Sequence, residues 1–115
     1  MIDCLFCKII AGEIPSQKVY EDEKVLAFND INPLAKNHWL FIHKDHTKDV
    51  NEMASEKPEQ LLDLFKAISF VTHDTNVVDD GYRVVTNNGA TAGQTVFHTH
   101  FHVLSGEKLH SFGAR

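Results

Sequence analysis

Three histidines alternate with other residues in His98-Thr99-His100-Phe101-His102, and three more stand at His38, His43 and His46. Six of the chain's eight histidines therefore fall into two groups. On a strand, alternate side chains point to one side, so the later three would share a face at about 6.6 Å spacing. A buried imidazole costs free energy unless it is hydrogen-bonded or put to use, which argues against a triple histidine as core filler. Two chemistries suit it. Neutral imidazoles bind zinc, and His-x-His on a strand supplies two donors. Against this, no Asp or Glu occurs between Asp80 and Glu107 to add the carboxylate that catalytic metal sites often carry. In the other chemistry an imidazole nitrogen attacks phosphorus and forms a covalent intermediate, splitting one hard step into two. The residues just upstream suit it: Gly89, Gly93, Gln94 and Thr95 offer backbone N–H groups and a hydroxyl to phosphate oxygens. Neighbouring imidazoles can carry protons near neutral pH.

These residues need elements to position them. Leu5, Phe6, Ile9 and Ile10 recur at near-helical spacing before Gly12, which predicts a short N-terminal helix. Residues 18–22 and 24–29 read as two strands of a hairpin around the acidic turn Glu21-Asp22-Glu23. Asp30-Ile31-Asn32-Pro33 is loop chemistry, and the aromatic and β-branched run from His38 to Ile42 is a third strand. Between residues 58 and 78, Leu61, Leu62, Leu64, Phe65, Ile68, Val71 and Thr72 trace one stripe of a 3.6-residue period, with Pro58 at the start: one long helix. Asp79-Asp80-Gly81 ends it, residues 82–86 form a fourth strand, residues 87–93 a loop of small residues, and residues 96–104 a fifth strand. Strands, one long helix and more strands make an α+β fold on a mainly antiparallel five-stranded sheet.

At 115 residues the chain suits a single domain spanning 1–115. Its net charge of −5 argues against extended nucleic-acid binding. No apolar run approaches the roughly 20 residues that span a bilayer, and the N-terminus carries no basic leader. A cytoplasmic location is expected, with the nucleus also open in a eukaryote. Cys4 and Cys7, so close together in such a chain, suggest metal or redox chemistry rather than a structural disulfide. His73, on the polar side of the long helix, and His110, in the tail, are expected to be solvated.

The run from His98 to Leu104 resembles the His-φ-His-φ-His-φ-φ signature (φ hydrophobic) of the histidine triad, or HIT, superfamily. Cys4-Leu5-Phe6-Cys7-Lys8-Ile9-Ile10-Ala11-Gly12-Glu13-Ile14-Pro15, Ala27-Phe28-Asn29-Asp30-Ile31-Asn32-Pro33, His38-Trp39-Leu40-Phe41-Ile42 and Gly93-Gln94-Thr95-Val96-Phe97 are similar, in order, to the Hint branch. The resemblance implies a HIT-like fold and a homodimer that binds purine nucleotides such as AMP and hydrolyses adenosine or guanosine 5′-phosphoramidates, with no cofactor needed for catalysis. It implies that His100 is the nucleophile, that His102 contacts phosphate and leaving group, and that His38 and His98 complete a hydrogen-bonded histidine network. It also implies that Asp30 binds the ribose hydroxyls, that Asn87, Gly93, Gln94 and Thr95 hold the phosphate side, and that Phe6, Ile9, Ile14, Phe28 and Ile31 enclose the base. Without the family, Asp30 reads equally as an Asx-turn residue, and Phe6, Ile9 and Phe28 as plain core. A dinucleoside polyphosphate hydrolase of the Fhit type shares the triad, and a regulatory nucleotide-binding protein would need no turnover.

Four positions depart from the pattern. Thr99 replaces an apolar residue of the signature, facing away from the histidines. Asn29 stands where many Hint proteins have His. His43 occupies a position often taken by Pro, and no role follows for it. The tail, residues 109–115, lacks the Trp-Pro-Pro ending of some relatives and would shape the leaving-group side. Cys4-x-x-Cys7 has the spacing of half a zinc site. The resemblance completes it with His46 and His98 as a structural zinc site, at a cost: a metal-bound His98 cannot also relay protons freely.

Overall fold

The computed structural model describes residues 4–112 of the chain; residues 1–3 and 113–115, the latter part of the tail singled out above, lie outside the described residues. Helix α1 (Leu5–Ile10) starts at Cys4, whose extended backbone and Sγ cap the Cys7 N–H. It ends at Gly12, which adopts a positive φ of 81° that a side chain would resist. Strands β1 (Lys18–Glu21) and β2 (Val25–Asn29) form the expected hairpin, its turn closed by Asp22 Oδ1 accepting the N–H groups of Lys24 and Val25. Strand β3 (Asn37–His43) follows.

Two departures come next. Helix α2 (Val50–Glu56) was not anticipated; Asp49 caps the N–H of Glu52, and Glu52 reaches back to the N–H of Lys48, a box readable in the spacing of the two acids. The single helix expected over 58–78 is two, α3 (Glu59–Asp74) and α4 (Val77–Asp80). Asn76 sits between them at φ 61°, a left-handed conformation that stops α3.

Strand β4 is Arg83–Val85 and β5 is His100–Ser105, giving an antiparallel sheet in the order β1-β2-β3-β5-β4. The fifth strand thus starts at His100, not at residue 96. Residues 96–98 form a bend because residues 98 and 99 bond to the end of β3 and the loop after it: His98 Nε2–H donates to the His43 carbonyl at 2.8 Å and Thr99 N–H to the Thr47 carbonyl at 2.8 Å.

Period-2 alternation builds two cores. Val25, Ala27, Trp39, Phe41, Phe101 and Val103 face α3, where Leu64, Ile68 and Val71 cover them. Leu26, Phe28, Leu40 and Ile42 face the other way, under Phe6 and Ile9 of α1. His100 and His102 lie opposite Ile42 and Leu40 in register and share this second face. Among the described residues no helix is long and apolar enough to cross a membrane.

Candidate active site

On the α1 face a cavity of about 320 Å³ opens between α1, the segment after it and the end of β2. Phe6, Ile9, Ile14, Phe28 and Ile31 line it, together with Asp30, Thr95, His100 and His102. The expected base-enclosing residues and the two later triad histidines therefore meet in one place, with Ile31, 91% exposed, on the rim. Sequence reasoning missed Leu5, Pro15, Ser16, Gln17, Asn29, Leu40 and Val96, which also line it. Only the strand alternation marked Leu40, as a neighbour of Phe28 on the same face.

The hydrogen bonds assign the proton on each ring. His100 Nδ1–H donates to the carbonyl of His98 at 2.7 Å, leaving Nε2 as a free lone pair. Leu34 N–H donates to His38 Nδ1 at 3.0 Å, so a neutral His38 carries its proton on Nε2, which donates to His102 Nδ1 at 2.8 Å. His102 in turn must carry its proton on Nε2. Lone pair and N–H donor thus stand side by side, their ring centroids 5.1 Å apart, with the Phe6 ring edge-on to His100 at 5.1 Å. Thr86 Oγ1 holds the His100 carbonyl at 2.8 Å, a contact no motif announced.

Burial lowers the affinity of these rings for protons. It pushes His100 and His38 down from the ordinary histidine value, with Asp30 opposing in both cases. His102 is pushed down to about 4, by burial first and then by the neighbouring His100 and His38. All three are therefore neutral at pH 7, the state in which an imidazole is nucleophilic. The same shift sets a stability trend. Between the ordinary 6.5 of an unfolded His102 and its folded value of about 4, the unfolded chain binds more protons, so stability falls as pH falls through that window. Thermal melts from pH 7 to 4.5 are expected to show a declining Tm, with a shallower slope in His102→Gln. A flat or rising Tm would contradict the assignment.

Asp30 forms the Asx turn and keeps its second oxygen at the cavity wall. Oδ1 accepts the Asn32 N–H at 2.8 Å as in an Asx turn, while Oδ2 lies 3.4 Å from His38 Nε2 at the cavity wall. Asn87 and Gly93 are neighbours beside the site: a Cβ at Gly93 would meet Asn87 Nδ2 at 3.6 Å, and Gly93 has φ 102°. Neither lines the cavity, nor does Gln94. Gln94 is buried and braces the loop, Oε1 accepting the Gly89 N–H and Nε2 donating to the carbonyls of Lys48 and Val96. Its side chain and its own N–H, which donates to the Gly89 carbonyl at 3.1 Å, are taken up in bracing this loop, so, against expectation, Gln94 is not free to meet phosphate.

His98 is the main correction. It leaves the strand, and its ring turns to Cys4, Cys7 and His46, so it joins the relay only through its backbone carbonyl. Its Nδ1 lies 3.5 Å from both sulfurs and 3.1 Å from His46 Nδ1, while Cys7 Sγ lies 3.5 Å from His46 Nδ1. A tetrahedral zinc with bonds of about 2.0–2.3 Å requires ligand separations of roughly 3.3–3.8 Å; three of these distances, at 3.5 Å, fall in that range, and all four donors lie within 4.8 Å of one another, near enough to hold a metal after small adjustments. Because Nε2–H is bound to the His43 carbonyl, Nδ1 is the unprotonated ligand atom. His43 also gains a role: its ring accepts the Asp45 N–H and donates to Asp63 of α3 at 3.0 Å, pinning the end of β3. Asp30, His38 and His102 also lie close enough for a metal, but the Leu34 N–H, by fixing the His38 tautomer, makes them a hydrogen-bond chain. His73 and His110 are exposed, as expected.

Comparison with known proteins agrees with this geometry. Residues 11–109 match the family model described as the HIT domain. The chain is 47% identical over 114 residues, 98% of its length and 82% of the relative's, to an uncharacterized HIT-like protein of Borreliella burgdorferi. It is 46% identical over 102 residues, 89% of its length and 70% of the relative's, to protein hit of Bacillus subtilis. Among solved structures, a HIT family hydrolase from Clostridium thermocellum superposes with TM-score 0.88 at 44% identity, covering 100% of this chain and 97% of that one. A histidine triad protein from Clostridium difficile gives TM-score 0.92 at 40% identity, covering 97% of both chains. The matched domain, these identities and the paired imidazoles of β5 together mean that the chain belongs to the HIT domain family.

Proposed function

We propose that the protein is a nucleotide hydrolase of the Hint type, cleaving adenosine 5′-phosphoramidates to AMP and an amine through an adenylylated His100. What supports this above all is the pairing of a neutral His100, its Nε2 lone pair free, with the Nε2–H of His102 at the mouth of an apolar cavity. In the first half-reaction His100 Nε2 bonds to the α-phosphorus, the P–N bond breaks, and the amine departs with one proton supplied through His102. In the second, water attacks the same phosphorus, the P–Nε2 bond breaks, and the proton from that water restores His102. Phe6, Phe28 and their aliphatic neighbours suit a flat base, Asp30 a ribose diol, and Thr95 the phosphate.

A structural zinc on Cys4, Cys7, His46 and His98 belongs to this reading, supported by the donor spacing; it would brace the fold and supply no catalytic chemistry. So does a homodimer, as the resemblance to the Hint branch implies, and a purine preference open to adenine or guanine. Direct competition between an adenosine phosphoramidate and a diadenosine polyphosphate tests the substrate. The expected result is a preference for the amidate of about tenfold or more in kcat/KM, roughly 1.4 kcal/mol in transition-state binding. Preference for the polyphosphate would move the protein to the Fhit-type reaction.

A further inference from the structure

We propose that Thr47 and Thr99 are positioning residues for the nucleophile, a reading that rests on the proposed reaction at His100. The His98 carbonyl that accepts the His100 Nδ1–H and the N–H of Thr99 belong to one peptide group, which is planar and rigid. The two ends of that plane are held from opposite sides. Thr99 N–H is anchored on the Thr47 carbonyl at 2.8 Å, and the His98 carbonyl meets the nucleophile's ring at 2.7 Å. Turning this plane would swing the carbonyl off the imidazole and release the ring to its other tautomer, in which Nε2 is protonated and cannot attack.

The sheet cannot hold this plane, because the ladder with β3 begins only at the His100–Ile42 pair. The hydroxyls do. Thr99 Oγ1–H donates to the same Thr47 carbonyl at 3.2 Å, which leaves Thr47 Oγ1–H to donate to Thr99 Oγ1 at 2.6 Å. Both side chains are buried, at 2% and 1% exposure, so water cannot substitute for a missing partner. This explains why a hydroxyl stands at position 99, where the triad signature carries an apolar residue. Thr47 follows His46 directly and Thr99 follows His98 directly, so the same clamp sets the spacing of two of the four cluster residues.

Thr99→Val keeps the shape and the backbone bond and removes one hydroxyl. The expected result is a fall in kcat of about tenfold or more with KM and AMP affinity within about threefold, since sub-ångström misplacement of a nucleophile is costly. Thr99→Ser is expected to restore kcat. The double variant Thr47→Val/Thr99→Val removes the unpartnered hydroxyl and should regain thermal stability while kcat stays low, and it serves if the single variant fails to fold. Nitrogen-15 spectra of labelled histidine read the His100 tautomer directly: protonated at Nδ1 in the wild type, mixed in the valine variants. A double variant with wild-type kcat and an unchanged His100 spectrum would overturn the proposal. If the wild type itself turns over no phosphoramidate, the spectra still decide the positioning role while the proposed reaction fails.

Discussion

Replacing His100 with alanine is expected to abolish turnover of an adenosine phosphoramidate, by roughly 10⁴- to 10⁶-fold in kcat, as removal of a covalent nucleophile does elsewhere. Among the described residues, neither remaining histidine of the triad can take its place. The His102 ring has its Nδ1 occupied by His38 and its Nε2 protonated, and the His98 ring is turned to the cysteines. Binding should survive, because the cavity walls come from α1, the end of β2 and the segment 14–17, not from His100 alone. His100→Ala should therefore hold AMP with an affinity within about tenfold of wild type, the difference being the lost contact of one ring. Rapid acid quench followed by mass spectrometry supplies a second reading: the wild type should carry one adenylyl group during turnover and His100→Ala none. His102→Gln should retain the adenylyl group but make and lose it slowly, since a proton donor is worth about 10²- to 10⁴-fold. Full activity in His100→Ala would end the covalent mechanism.

Much of this was legible in the sequence because it is local. The apolar runs of β2 and β3 mark strands buried on both faces, and the helical period marks Leu64, Ile68 and Val71 as the buried stripe of α3, although Leu62 and Phe65, read with them, are exposed. What escaped depends on contacts between distant segments. The start of β5 could not be read from Val96 and Phe97, which are good strand formers, because the carbonyls that draw residues 98 and 99 away belong to His43 and Thr47. Asn76 gives no warning of its left-handed conformation amid an otherwise continuous helical stripe. The sequence offers the Gln94 N–H to phosphate along with its loop neighbours, but that N–H closes the loop on the Gly89 carbonyl, and the long amide satisfies nearby backbone as well. His43 had no reading because its partner, Asp63, lies one helix away. The gathering of Cys4, Cys7, His46 and His98 is half visible, in the Cys-x-x-Cys spacing, and half a matter of which histidine the fold turns toward the sulfurs.

Zinc binding by Cys4, Cys7, His46 and His98, as proposed, is expected to add more stability than any single surface change removes. The four donors join the cap of α1, the loop after β3 and the bend before β5, three segments otherwise tied by a few hydrogen bonds. Binding to the folded chain alone at about 1,000 times Kd adds about 4 kcal/mol, which in a domain of this size is a Tm difference of roughly 10–20 °C. Protein purified without added metal is expected to hold about one zinc per chain, and Cys4→Ser/Cys7→Ser close to none, with a matching drop in Tm. Burial, reinforced by Cys4, pushes the Cys7 thiol up to about 11, so loading the site at neutral pH must release a proton, measurable in weakly buffered solution. Because the backbone of His98 also holds His100, loss of the cluster should reduce kcat more than it weakens AMP binding. Equal melting of loaded and chelated protein would leave Cys4 and Cys7 as ordinary thiols beside a helix. A lowered Tm with unchanged kcat would instead place the whole burden of orienting His100 on the clamp between Thr47 and Thr99.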